Sequence, residues 1–207
     1  VVDQFEHGDL ANNGWSGITG DIDANTNSPV IEGSYSAKQV NSVSAAEEFV
    51  KSTPGDGLGN YPDLGDALSV YVTSTDWSSV GAYCGAFGND LSGDDAEGYA
   101  LAIFGGTTVE LFRVDSGSSG STLASTSVSL TDSEFYEAII KRDTDDNSLT
   151  AKLYEVDQTD RTRQTELVSL TASDTTYQNA DDTVFLGPSS SSGTEAVWDL
   201  AYIPDTI

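Results

Sequence analysis

Hydrophobic positions along this chain recur at every second residue. Leu68, Val70 and Val72 alternate with Ser69, Tyr71 and Thr73; Tyr99, Leu101 and Ile103 alternate with alanines and Phe104; Leu149, Ala151 and Leu153 alternate with Thr150, Lys152 and Tyr154. A period of two sends one set of side chains inward and the other outward, which predicts β-strands. Turn-forming clusters punctuate these runs at Gly55–Gly57, Asn89–Gly93, Gly105–Gly106, Gly117–Gly120, Asp143–Ser148 and Pro188–Gly193. The pattern predicts about a dozen strands packed as two antiparallel sheets, an all-β sandwich. Ser44-Ala45-Ala46-Glu47 has the spacing of a helical capping box, but the segment is too short to change the class. The serine- and glycine-rich tracts at 116–121 and 188–193 read as hairpin tips, because periodic strands resume directly after each. At 207 residues the length suits one domain spanning 1–207. No stretch approaches the ~18 apolar residues of a membrane span, so no membrane insertion is expected.

Charge changes the picture of where such a sandwich works. Thirty-four Asp and Glu face eight Lys and Arg, a formal net charge of −26. Like charges on a compact body repel, and salt shortens the reach of that repulsion from ~10 Å at 0.1 M to roughly 3 Å at 1 M. Disorder does not explain the acidity, because 3 Trp, 9 Tyr and 7 Phe supply the apolar bulk that disordered chains lack. The acids are dispersed, and 23 are Asp against 11 Glu, which predicts a hydrated coat suited to brine. Eight basic residues among so many acids exclude a phosphate-neutralising surface, so no nucleic acid partner is expected. Cys84 stands alone in a small-residue strand and reads as a core position. The chain starts at Val1 and contains no Met, which suggests a processed or excised product.

Chemistry-bearing constellations are sparse. One His and one Cys cannot build a zinc site; no Gly-x-Ser-x-Gly elbow and no phosphate-binding glycine loop followed by Lys occurs. Asp21, Asp23, Asn25 and Asn27 alternate, and Asp143, Asp145 and Asn147 match the first half of a calcium loop. The second has Ser148 where such a loop needs glycine and no Glu at its twelfth position. Both are read as turns.

Gln4-Phe5-Glu6-His7-Gly8-Asp9-Leu10, Gly14-Trp15, Glu32-Gly33-Ser34-Tyr35-Ser36-Ala37 and Val197-Trp198-Asp199-Leu200-Ala201-Tyr202-Ile203 resemble landmarks of the concanavalin-A-like and laminin-G-like jelly rolls, including carbohydrate-binding modules. With the acidity, the resemblance points to a halophilic archaeon or its virus. It implies terminal strands lying side by side and a structural Ca2+ near their junction, with Glu6 and Asp199 as carboxylate ligands and Ser34 among the oxygens of the adjoining segment. His7 stands where an acid is common in that pattern. Trp15 and Trp198 are assigned to the core. Related sandwiches include family 16 glycoside hydrolases, whose paired carboxylates find their nearest match in Glu155-Val156-Asp157-Gln158-Thr159-Asp160. That stretch runs into Arg161-Thr162-Arg163 and reads as a charged hairpin tip, so no enzyme is expected. Sugar recognition by stacking on aromatic faces nominates Trp77, Tyr83 and Tyr61; Trp77 sits in a polar turn, where an indole either packs back or meets a partner. The expected function is a non-catalytic glycan-binding or adhesion module, extracellular, on a cell surface or on a virion surface. Its partner would be a glycan or surface glycoprotein. The alternative is an architectural spike, turret or fibre subunit that contacts copies of itself, and the third reading is a family-16-like hydrolase.

Overall fold

The alternation becomes fourteen strands among the described residues of the computed structural model, with no helix among them. The structure describes all residues except 27–28, 44–47, 90–92, 116–117, 145–146, 178–182, 189–195 and 205–206, and only the backbone at 118–119. The expected short helix at Ser44–Glu47, Asn27, Asp145 and parts of the Asn89–Gly93 turn and the two Ser/Gly tracts lie outside the described residues.

One seven-stranded sheet runs in the order β1 (Ser16–Gly17), β4 (Val50–Ser52), β13 (Val184–Pro188), β6 (Ala82–Ala86), β7 (Gly98–Phe104), β8 (Thr108–Asp115) and β9 (Ser118–Ser127). The other runs β12 (Arg163–Ser173), β11 (Ser148–Val156), β10 (Tyr136–Arg142), β5 (Ala67–Ser74), β14 (Ala196–Tyr202), β3 (Ser36–Gln39) and β2 (Ile22–Asn25). Neighbours pair antiparallel throughout. The inner faces carry the residues that the period-two pattern assigned inward. Leu68, Val70 and Val72 of β5, Leu101 and Ile103 of β7, and Leu149, Ala151 and Leu153 of β11 share one core, each large apolar side chain there contributing about 1.5–3 kcal/mol. Trp198 is fully buried and donates its indole N–H across to the Tyr83 carbonyl at 3.1 Å, which ties the two sheets together. Cys84 is buried beside it, and burial pushes its thiol pKa well up.

The first and last segments lie side by side. Asp3 bridges Ala201, with Ala201 N–H donating to the Asp3 carbonyl at 2.8 Å and Val2 N–H to the Ala201 carbonyl at 2.8 Å. Register breaks between Asp199 and Ala201, and Leu200 has φ 42°. This bulge puts Leu200 with the outer cluster around Tyr71 and Phe135, while Trp198 and Ala201 both belong to the inner core. At the opposite end of β7 and β8, Arg113 joins Asp115 and Asp174 at 2.8 Å each, and Tyr99 donates to Asp174 at 2.7 Å, pinning the segment after β12 across both sheets. Asp143 N–H donates to the Ser148 carbonyl and Asn147 has φ 55°, so this acidic stretch is a hairpin turn in its described part.

Candidate functional site

The long connection between β4 and β5 carries Tyr61 to the surface. Gly59 and Asn60 donate their N–H groups to the carbonyls of Val2 and Val1 at 3.0 and 3.1 Å. The two backbones lie so close that a Cβ on Gly59 would overlap the Val1 carbonyl. On the far side, Asp66 N–H donates to the Asp63 carbonyl at 2.9 Å and Asp63 N–H to Asp66 Oδ2 at 3.2 Å, closing a tight turn. Tyr61 stands between these two anchors, half-buried, its hydroxyl 2.6 Å from Ser52 Oγ. Burial pushes its phenol pKa up against the Ser52 hydrogen bond, and the charges of Asp56 and Asp3 add to the rise, so the hydroxyl stays protonated. Around the ring opens a cleft of about 590 Å³, bordered by Asn60, Asp63, Asp66, Pro54 and Ile203. A ring wall with an amide and two carboxylates can pack against a small polar ligand and hydrogen-bond its hydroxyls.

Sequence reasoning also brought Glu6, Ser34 and Asp199 to one corner, and they do meet there. Glu6 Oε1 accepts the N–H groups of Ser34 and Tyr35 at 2.8 and 3.0 Å. Asp199 Oδ2 accepts those of Ile31 and Glu32 at 2.6 and 3.1 Å, and its Oδ1 accepts that of Leu200 at 2.8 Å. Gly33, at φ 79°, lets the chain pass against the Glu6 carboxylate, where a Cβ would overlap it. The expectation that residues 33–36 turn oxygens toward the two acids is corrected: Ser34 and Tyr35 present N–H. Calcium takes six to eight oxygens, and among the described residues no group of three His, Cys, Asp or Glu side chains converges. This donor set does not fit a calcium ion; the two carboxylates clamp the 31–35 loop themselves. Burial pushes Asp199 up to about 7; the three N–H donors pull the other way and the nearby Glu6 charge adds to the rise.

Two nominated aromatics are not surface groups. Trp77 is 2% exposed: its backbone N–H donates to Asp132 Oδ1 at 2.8 Å and the indole folds inward, edge-on to Tyr136 at 6.2 Å between centroids. Tyr83 is 1% exposed. It lies on the outer face of its sheet, as period two requires, but Phe49, Phe104 and Phe112 pack over it at 5.6 to 5.9 Å. Neither ring can stack on a ligand as the chain is folded. Asp157 follows the end of β11 at Val156, and its Oδ1 accepts the N–H groups of Thr159 and Asp160, so it closes the hairpin turn.

Sequence reasoning missed a polar cluster on the outer face of the second sheet. Glu137, 1% exposed, accepts from Arg163 Nε and Nη2 at 2.5 and 2.9 Å, from Ser69 Oγ at 2.6 Å and from the Tyr202 hydroxyl. Burial would raise its pKa, yet these donors outweigh burial and hold it below the usual value. The only available signal was Glu137 itself, an acid within the apolar strand Tyr136–Arg142. Asn60, Asp63 and Asp66 were missed too, although they flank the nominated Tyr61.

Against solved structures, the chain is similar to the carbohydrate-binding module of family 66 from Bacillus subtilis, with a TM-score of 0.53 at 11% identity over 91% of this chain and 94% of that one. It is also similar to lectin II from Ulex europaeus, with a TM-score of 0.50 at 14% identity over 91% and 90%. The fold is a jelly-roll sandwich. Identities this low carry the fold alone. No family model and no curated protein matches the sequence.

Proposed function

We propose that this jelly roll is a non-catalytic glycan-binding module and that Tyr61 is the centre of its site. The observation that carries the reading is the open cleft in which a half-buried tyrosine ring, fixed through Ser52, stands beside Asn60, Asp63 and Asp66. That is the recipe of a small polar ligand site, apolar area plus a few placed polar groups. The fold shared with a carbohydrate-binding module and a lectin supports it. The net charge of −26 supports work in brine; the reading puts the module outside a cell or on a virion surface. A calcium ion would have to displace the N–H groups that occupy Glu6 and Asp199, and the reading does not depend on one.

The test is a printed glycan array probed in molar KCl with the wild-type chain and with Tyr61→Ala. Binding that the variant loses supports the reading. Silence across the array would move the chain to the architectural alternative, a subunit contacting copies of itself, and a glycan bound equally by both proteins would place the site elsewhere.

A further inference from the structure

The cleft at Tyr61 does not end at Tyr61. Gly59 also borders a second depression of about 340 Å³, whose lining includes Asp3, Glu6, His7 and Asn13. A third, of about 490 Å³, adjoins at Asp56, next to Gly57 in the second, and includes Asn12. All three follow one stretch of backbone, residues 54–61, like beads along a rail. At Gly55 and Gly57 nothing lies within 4 Å of where a Cβ would stand, and the backbone is exposed there.

The lining is mainly acidic. Asp63, Asp66 and Asp56 border it with carboxylates, Asp3 and Glu6 lie behind them with carboxylates already accepting from Trp15 and from Ser34 and Tyr35, and amides stand between. Among the described residues that line the three depressions none is Lys or Arg, the one imidazole, His7, lying 3.1 Å from Asp3 Oδ2. Molar salt screens the far field of these acids. It does not remove the cost of desolvating a ligand's own carboxylate or sulfate against them with no Lys or Arg to receive it. Sugar hydroxyls meet no such penalty, since carboxylates and amide carbonyls accept from them.

Resting on the glycan-binding reading, we propose that the trough along residues 54–61 takes an extended, uncharged oligosaccharide across three adjoining subsites and rejects uronic and sulfated chains. Tyr61 holds the first sugar ring, and the acids further along select against negative charge.

The experiment is a titration in molar KCl with neutral oligosaccharides of one to six residues from the best array hit, alongside oligogalacturonates and a sulfated oligosaccharide series. Affinity is expected to climb from one to three residues and then level, with no binding of the acidic series. Tyr61→Ala should weaken the neutral chain at least about tenfold, the scale of losing a central aromatic anchor, while Tyr61→Phe retains most of it. Asp63→Lys should raise the ratio of oligogalacturonate to neutral binding. An acidic chain bound as well as a neutral one overturns the charge selection, and equal affinity for a monosaccharide and a hexasaccharide overturns the subsites. Either failure leaves glycan binding intact. Absence of any array hit overturns that underlying reading instead. Thermal melts of each variant, matched to the wild type, separate lost binding from lost folding.

Discussion

Replacing Asp199 with Asn removes a charge at constant shape, and the structure fixes both the sign and the size of the effect. Asp199 is 0% exposed, and burial, opposed by three N–H donors, lifts its carboxyl from 3.8 to about 7. Because the folded value lies above the unfolded one, the stability tied to the neutral form is fully present below about pH 4 and is lost as pH rises through 7. Such a rise is worth about 4 kcal/mol at roughly 1.4 kcal/mol per pH unit. Asn stays neutral at every pH, but its amide can offer an acceptor to only one side. Turned toward Ile31 and Glu32, it leaves the Leu200 N–H facing an NH2 group, a loss of about 1–2 kcal/mol. The variant should therefore be less stable than wild type near pH 4.5 and more stable, by roughly 2 kcal/mol, near pH 8.5. Thermal unfolding followed by circular dichroism at both pH values, in constant molar KCl with and without EDTA, reads this directly. A variant that is destabilised most at pH 8.5, together with an EDTA-sensitive wild type and an EDTA-insensitive variant, would refute the reasoning. It would show the carboxylate holding a cation rather than only backbone N–H groups.

Dialysis from molar to low salt should lower the melting temperature by several degrees, because 34 acids against 8 bases then repel at longer range; an unchanged or higher value in a melting series would count against the brine reading. Arg163→Ala should cost about 3 kcal/mol, at the low end for breaking a buried pair because Arg163 keeps 29% exposure while Glu137 keeps 1%, measured by denaturant titration. Falling pH should weaken the same pair. Glu137 sits below its ordinary value, so its stabilisation is present above the unfolded carboxyl pKa and disappears as pH falls through the folded one; in Arg163→Ala the acid limb of the stability–pH curve should flatten. Cys84, buried with its thiol pKa pushed up, should resist maleimide in the native state and react only on unfolding. Rapid native labelling would mean the sandwich opens at β6.

The strands were legible because period two is a local signal: β5, β7 and β11 each announce an inner face that needs only one neighbouring layer to bury it. The meeting of Glu6 with Asp199 at one corner was legible only through the resemblance to jelly rolls, which implies terminal segments lying side by side. What the loop between them presents was not, because the turn at Gly33 decides whether N–H or C=O faces the acids, and no residue type encodes that directly. Trp77 and Tyr83 went astray through contacts distant in sequence. Asp132, far along the chain, draws the Trp77 turn onto the core, and the cover over Tyr83 comes from residues before β4 and on β7 and β8. The central strands of the first sheet thus bury both faces: Phe49, Ala100, Ala102, Val114 and Phe185 on the outer side are all 0–1% exposed. An aromatic within such a strand is consumed by packing whichever way it points, so strand aromatics lose their value as candidate ligand platforms. What survives is an aromatic held off the strands by fixed backbone on both sides. Tyr61, between Gly59-Asn60 and Pro62-Asp63, meets that condition, and its sequence neighbours supply the polar half of the same cleft.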